Sequence, residues 1–176
     1  MRSLINDVLT LSKLDETAFE SEGAAPVDLH DVAQRVAGRL ASFADGQGVE
    51  VRIEGASARI AGSETLAEEM LYNLIENGIR YNHEGGSVVM RVRADAAAGQ
   101  ATVTVSDTGP GIPEELHDKV FERFFRVDKS RSKETGGTGL GLAIVKHAVL
   151  QHRGTIEVKS ALGEGTTFVL RFPLAD

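Results

Sequence analysis

The stretch Leu71-Tyr-Asn-Leu-Ile-Glu-Asn77-Gly-Ile-Arg-Tyr-Asn82 decides how this chain is read. Ser63 is a good N-cap and Glu64 suits the first turn, where a carboxylate meets the positive end of the helix dipole. Gly85-Gly86 closes the segment, so residues 63–82 are expected to form one helix. Leu66, Ala67, Met70, Leu71, Leu74, Ile75 and Gly78 fall on one apolar stripe at helical spacing. Asn73, Asn77 and Arg80 stand at i, i+4 and i+7 on the edge of that stripe. Two carboxamides and a guanidinium beside a buried face are a poor choice for stability alone.

Outward from this helix the chain alternates between short strands and helices. Upstream, Asp28 can cap a helix over about residues 28–44, with Val32, Val36, Leu40 and Phe43 on its buried side and Gly46 and Gly48 ending it. Val49, Val51 and Ile53 alternate as a strand, and residues 58–61 form a second short one. Downstream, residues 87–93 and 101–105 read as strands joined by an Ala/Gly hairpin loop. A Gly/Pro loop over 107–113 leads into a short helix at 114–120, and residues 121–133 are aromatic and basic. The glycines at 136, 137, 139 and 141 open an amphipathic helix to about Gln151, with Leu140, Ile144, Ala148 and Gln151 along one side. Strands at 155–158 and 167–172 finish the chain. These elements predict an α/β two-layer sandwich, a mixed and largely antiparallel sheet with three main helices on one face. At the other end, Leu4, Val8 and Leu11, flanked by Ile5 and Leu14, have coiled-coil spacing over a segment too short to be stable alone. Residues 18–25 have the small, acidic composition of a linker.

Bulk properties exclude several classes. The chain has 176 residues, enough for one domain and a small appendage, and its hydrophobic fraction of 41% supplies a core. A formal charge of -7 argues against nucleic acid as a partner. With no cysteine there is neither a disulfide nor a thiolate metal site. No apolar run approaches the roughly 20 residues a membrane span needs, so the expected location is cytoplasmic, compatible with a parent protein anchored in the cell membrane.

Three stretches carry chemistry. Asp107, just past a strand and followed by Thr-Gly-Pro-Gly, places a carboxylate where backbone can approach a flat ligand, and it could accept from an exocyclic amine such as that of adenine. The alternative is a tight turn with Asp107 bonding its own backbone. The glycines at 136–141 could leave helix-start amides open to phosphate, or form a surface loop. Their spacing matches neither a Walker loop nor the dinucleotide fingerprint. Arg123, Arg126, Lys129, Arg131 and Lys133 cluster between the two glycine loops, either as a lid over phosphates or as a solvated charge run. Phe121, Phe124 and Phe125 among them imply an apolar docking face.

In order and spacing, these stretches resemble the catalytic ATP-binding domain of bacterial sensor histidine kinases, within the superfamily of DNA gyrase, Hsp90 and MutL. The segment from Asn73 to Asn82 is similar to the family's N box, and Asp107-Thr-Gly-Pro-Gly111 to its G1 box. Phe121-Glu-Arg-Phe-Phe-Arg126 is similar to the F box, Gly137-Thr-Gly139-Leu-Gly141-Leu142 to the G2 box, and Gly163-Glu-Gly165-Thr166 to the last glycine motif. The resemblance implies ATP and Mg²⁺ as cofactors, with Asn77 as metal ligand, Arg80 on phosphate, Tyr81 against the nucleotide and Asp107 on the adenine amine. Gly109, Gly111, Ile112 and Thr166 would shape the adenine pocket. Arg126, Thr138, Gly139, Leu140, Gly141 and Leu142 would meet the phosphates under a mobile lid over about 109–138, and Asn73 would also belong to the site. The implied domains are a dimerisation-helix remnant at 1–18, a linker at 19–27 and the catalytic domain at 28–176.

The superfamily's hydrolases carry a Glu four residues before the metal-binding Asn, and here that place holds Asn73, a poor base. Glu76 is about 100° away on the helix and a weak substitute. The expected activity is therefore phosphoryl transfer from MgATP to a histidine, with a hydrolytic ATPase or a non-catalytic nucleotide-binding or interaction module as alternatives. None of the five histidines has the family's phosphoacceptor context. His30 and His117 precede an acid but lack the following proline; His83, His147 and His152 read as surface or capping groups. The acceptor is expected on a dimerisation and phosphotransfer domain outside this sequence, in a homodimeric parent that passes phosphate to a response regulator.

Overall fold

The computed structural model describes residues 25–127 and 137–175. The expected dimerisation remnant at 1–18, most of the linker and the centre of the lid lie outside the described residues. The described residues form three α-helices: α1 (Leu29–Gln47), α2 (Glu64–Arg80) and α3 (Gly141–Gln151). Seven strands accompany them: β1 (Pro26–Asp28), β2 (Glu50–Gly55), β3 (Arg59–Ala61), β4 (Ser87–Asp95), β5 (Gln100–Asp107), β6 (Thr155–Ser160) and β7 (Thr166–Pro173).

The sheet has the order β2-β4-β5-β7-β6, and β1 and β3 form a separate antiparallel ribbon. Only β2 and β4 run parallel, with Val51 opposite Val88 and Ile53 opposite Met90. A parallel pair needs a long crossover, which β3 and α2 supply. The other three pairings are antiparallel. Val88, Met90 and Val92 on β4, Val103 and Val105 on β5, and Leu170 and Phe172 on β7 are buried beneath the helices. The opposite face carries Arg91, Thr102, Thr104 and Arg171, with ion pairs such as Arg91–Glu54 at 2.7 Å. The alternation is what one buried and one solvated face require.

The helix bearing Asn73 and Asn77 is the middle of the helical layer: α2 packs on α1 along one side and α3 along the other. The Ser63 hydroxyl accepts from the Leu66 amide at 3.3 Å, as a helix cap should. Ala67, Met70, Leu71, Leu74, Ile75 and Gly78 are all buried. On α1 the Asp28 carboxylate accepts from the His30 amide at 2.9 Å, and Gly48 takes the left-handed C-cap (φ 64).

Three local expectations are revised. Pro26 and Val27, placed in the linker, belong to β1, where Val27 pairs with Ile60. The short helix at 114–120 is instead two 3-10 turns, Glu114–Leu116 and Lys119–Phe121. Val120 is their one buried residue, so no apolar stripe rewards a continuous helix. His152 does end α3 as its C-cap, yet its ring is buried at 4% exposure, edge-on to Phe172. Its ring nitrogens lie 2.7 Å from the Ala148 carbonyl and 3.2 Å from that of Ser63, joining the end of α3 to the start of α2.

Candidate nucleotide site

A cleft of about 830 Å³ opens between α2, the loop after β5, the start of α3 and the β6–β7 turn. Asn73, Asn77 and Arg80 line it from α2, and Tyr81 from the C-cap that follows. Asp107, Gly111 and Ile112 line it from the β5 side, with Thr166 opposite. Arg126, Thr138, Gly139, Gly141 and Leu142 close the remaining wall. The structure thus gathers these residues from five separated stretches.

At one end, Asp107 is the last residue of β5 and pairs across the sheet with Thr166. Burial pushes its carboxyl above the usual carboxylate range, against the lowering effect of backbone N–H groups from Gly109 and Thr166. The Gly109 amide donates to Oδ1 at 2.8 Å. A carboxylate has about four acceptor positions, so capacity remains toward the cleft. The turn bond to Gly109 therefore does not exhaust the carboxylate, and the two readings of Asp107 are compatible.

Glycines let the two turns here touch. Gly111 (φ 76) brings its backbone so close to the Ala161 carbonyl that a Cβ would lie 1.9 Å from that oxygen. A Cβ on Gly165 (φ 80) would lie 2.0 Å from the Asp107 carbonyl. The Gly163 amide donates to the Pro110 carbonyl at 2.8 Å, and the Ile112 amide to the Ser160 hydroxyl at 2.8 Å. Ser160 and the cleft-lining Leu162, Val120 and Phe168 were not found from the sequence. Their only signal is position: Phe168 lies on the buried side of β7, and Ser160 ends the strand that faces the G1 loop.

The other end is polar. Arg80 donates to the Glu76 carboxylate at 2.6 Å and lies over the Phe43 ring at 5.4 Å. Glu76 is thereby engaged as a counter-ion, a further reason against its acting as a base. Arg126 donates to the Gly137 carbonyl at 2.5 Å. The Asn73 amide donates to the Glu69 carbonyl at 2.8 Å, and its oxygen abuts Gly141, where a Cβ would approach to 2.7 Å. Asn77 is half-buried on the cleft wall. Among the described residues no group of three or more His, Cys, Asp or Glu could hold a metal ion. A single carboxamide oxygen completed by ligand oxygens and water suits Mg²⁺, which sheds its waters reluctantly.

Two of the anticipated residues do not line the cleft. Gly109 faces Asp107 and the Tyr81 carbonyl, where a Cβ would meet atoms at 2.9 and 3.1 Å. Leu140 is wholly buried, packed with Ile144 and Leu66 beneath α3, so only its backbone remains for a ligand. Leu140→Ala is accordingly expected to cost about 2–5 kcal/mol of stability, read from denaturant unfolding, as for a buried leucine elsewhere. Of the basic cluster, Lys129, Arg131 and Lys133 lie outside the described residues. Among the aromatics, Phe121 packs edge-on to Phe168 at 6.2 Å, Phe125 lines the cleft, and Phe124 is exposed.

Residues 62–176 match the family described as Histidine kinase-, DNA gyrase B-, and HSP90-like ATPase. The sensor-like histidine kinase SenX3 of Mycobacterium tuberculosis is 40% identical over 171 residues, covering 97% of this chain and 41% of that protein. The phosphate regulon sensor protein PhoR of Pseudomonas aeruginosa is 35% identical over 173 residues, covering 98% of this chain and 38% of that protein. Among solved structures, full-length ShkA in complex with AMPPNP superposes with a TM-score of 0.82 at 32% identity, over 98% of this chain and 35% of that one. The mycobacterial sensor histidine kinase MprB does so with a TM-score of 0.75 at 30% identity, over 86% of this chain and 97% of that one. The chain therefore belongs to the histidine kinase-, gyrase- and HSP90-like ATPase family, as a catalytic domain of the sensor histidine kinase type. It spans about two fifths of the length of the curated relatives it matches. No helix among the described residues is long and apolar enough to cross a membrane.

Proposed function

We propose that this domain binds MgATP and presents its γ-phosphate to a histidine on a separate helical domain of a homodimeric parent kinase. The observation that carries this is one cleft with a buried carboxylate acceptor at one end and Asn77, Arg80 and the glycine-rich start of α3 at the other. Asp107 would accept from the adenine amine between Ile112 and Leu162. Asn77 would hold Mg²⁺ through its carboxamide oxygen. When bound, the ion neutralises phosphate charge and orients the oxygens.

Arg80, steadied by Glu76 and Phe43, offers a guanidinium to phosphate from a fixed position. Backbone amides at the first turn of α3 offer further donors, favoured by the helix dipole. Each of these groups binds or orients; none is placed to take a proton from water. Phosphoryl transfer needs mainly such positioning and charge stabilisation. The location that fits is a cytoplasmic domain of a sensor kinase acting on a response regulator.

Calorimetry with ATP in millimolar Mg²⁺ tests the binding step, and absence of binding would remove the basis for kinase function. Mixing the domain with a dimerisation domain bearing a phosphoacceptor histidine should yield acid-labile phosphohistidine.

Hydrolysis is the competing activity, and Asn73 weighs against it. It is 9% exposed and tied to the Glu69 carbonyl at 2.8 Å, as a structural amide. Asn73→Glu would put a carboxylate at the place where the hydrolases of this superfamily hold their base. Phosphate release from ATP should rise by about tenfold, below the full range for general base catalysis because the acid is unsupported. Burying that carboxylate without a partner should lower stability by more than the roughly 1–3 kcal/mol of a neutral polar group. An unchanged rate of phosphate release in a folded variant would remove position 73 as the point of discrimination.

A further inference from the structure

Phe124 combines two unfavourable features. It is 63% exposed, although a phenylalanine gains most by burial, and its backbone lies in the left-handed region at φ 64. Arg153 (φ 55) is the other non-glycine residue with positive φ among those described, and it follows the end of a helix, where such geometry is common. Phe124 caps no helix. What its backbone does is reach across to the glycine loop: its amide donates to the Gly139 carbonyl at 2.8 Å. Gly139 is itself left-handed (φ 74), and a Cβ there would lie 2.9 Å from both Cα and the carbonyl carbon of Phe124. Two left-handed residues thus meet backbone to backbone. The Arg126 bond to the Gly137 carbonyl at 2.5 Å makes a second tie, two residues on from Phe124 and two back from Gly139.

These ties act on the segment that matters for phosphate. A carbonyl held in one direction fixes the peptide plane that follows it, so the Gly139 carbonyl sets the direction of the Leu140 amide. The Leu140 side chain is buried, and Gly141 begins α3 directly after it. The peptide plane that leads into α3 is therefore fixed from below by the leucine and from outside by Phe124, and its Leu140 amide also donates to the Thr138 hydroxyl at 3.3 Å.

We propose that Phe124 is a positioning residue whose left-handed backbone clasps Gly139 and orients the α3 amides for phosphate, its exposed ring being dispensable for nucleotide binding. This rests on the reading of the cleft as an ATP site. The amide directions are a property of the free protein and can be read without nucleotide.

The test uses two substitutions. Phe124→Gly keeps positive φ accessible and removes the ring. Phe124→Val removes the same ring and introduces a β-branched side chain, for which positive φ is a true outlier. Amide NMR spectra of the free domains should show Gly139, Leu140 and Gly141 displaced in Phe124→Val and in place in Phe124→Gly. In ATP titrations Phe124→Val should bind on the order of tenfold more weakly, and Phe124→Gly within about twofold of the parent. Adenosine should bind all three alike.

Unmoved amides in Phe124→Val overturn the clasp whether or not nucleotide binds. Equal loss of ATP affinity in both variants overturns it too, by assigning the effect to the ring. Loss of adenosine affinity in Phe124→Val would show a general structural role and overturn it as well. Failure of the parent domain to bind ATP, with amides displaced as expected, would instead defeat the nucleotide reading and leave the backbone clasp standing.

Discussion

Asp107→Asn should weaken ATP binding by about 100-fold while leaving the domain as stable as the parent. The carboxylate accepts from the Gly109 amide at 2.8 Å and from the Thr166 backbone, and an asparagine oxygen can take over those bonds. What asparagine cannot supply is a second acceptor: its NH₂ group would face the adenine amine donor to donor. A mispaired buried polar group costs on the order of 1–3 kcal/mol, so the expected loss lies near the top of that range. Burial holds the Asp107 carboxyl above its ordinary value, so the ionised form is disfavoured in the folded state. The folded protein then binds this proton more tightly than the unfolded chain does. Ionised Asp107 is a cost to stability at neutral pH that is relieved as pH falls, which is why the neutral asparagine should not destabilise. In the proposed site the adenine amine is accepted by the ionised form, so affinity should decline on acidification at a higher pH than for an ordinary aspartate. The phosphates of ATP titrate as well, so adenosine is the better probe. Its affinity should fall with pH in the parent and stay flat, though weak, in Asp107→Asn. A variant that binds ATP as the parent does would remove Asp107 from the adenine site.

How much of this was legible beforehand depends on whether the information is local. The cap at Ser63, the stripe from Leu66 to Gly78 and the left-handed Gly48 each follow from chemistry within a few residues, and each is where the sequence places it. The three-residue β1 is different. Nothing in Pro26–Asp28 signals a strand; it exists because β3 offers Ile60 opposite Val27. The turns at 114–121 failed as a helix for the converse reason, since local propensity found no buried face to support it. In the site, the G1 aspartate and its glycines could be picked out by type and spacing. That the same carboxylate both closes a turn and faces the cleft could not, because it depends on Thr166 arriving from β7. Leu140 shows the limit of carrying a motif over residue by residue: the motif marks the stretch, while burial decides that its leucine anchors the helix and only its backbone faces outward. His152 shows the same on the other side, as a helix-ending residue whose ring is covered because α2 begins beside it.

Asn77→Ala is expected to abolish the Mg²⁺-dependent part of ATP affinity and to reduce phosphotransfer by at least about 100-fold, on the scale of losing a transition-state charge contact. The side chain is half-buried on the wall of the cleft, on a helix whose opposite side is fixed by Leu71, Ile75 and Ile79. Truncation there removes the carboxamide without opening the core, so the unfolding midpoint should move little. The comparison that isolates the metal is between titrations with Mg²⁺ and with a chelator. In the parent, chelation should weaken ATP binding and leave adenosine binding unchanged. In Asn77→Ala the two ATP titrations should coincide. Asn77→Asp sharpens the test, because it restores an oxygen donor and adds a negative charge beside the phosphates. It should recover metal dependence in part, with lower ATP affinity than the parent because the added charge repels the phosphates. Glu76, adjacent in sequence, cannot take over as ligand without leaving Arg80, to which it is bound at 2.6 Å. If Asn77→Ala retained the full difference between Mg²⁺ and chelator, the ion would have to be held by phosphate and water alone. The carboxamide on α2 would then need another role. If ATP and adenosine binding fell together, position 77 would be shaping the cleft rather than holding a metal.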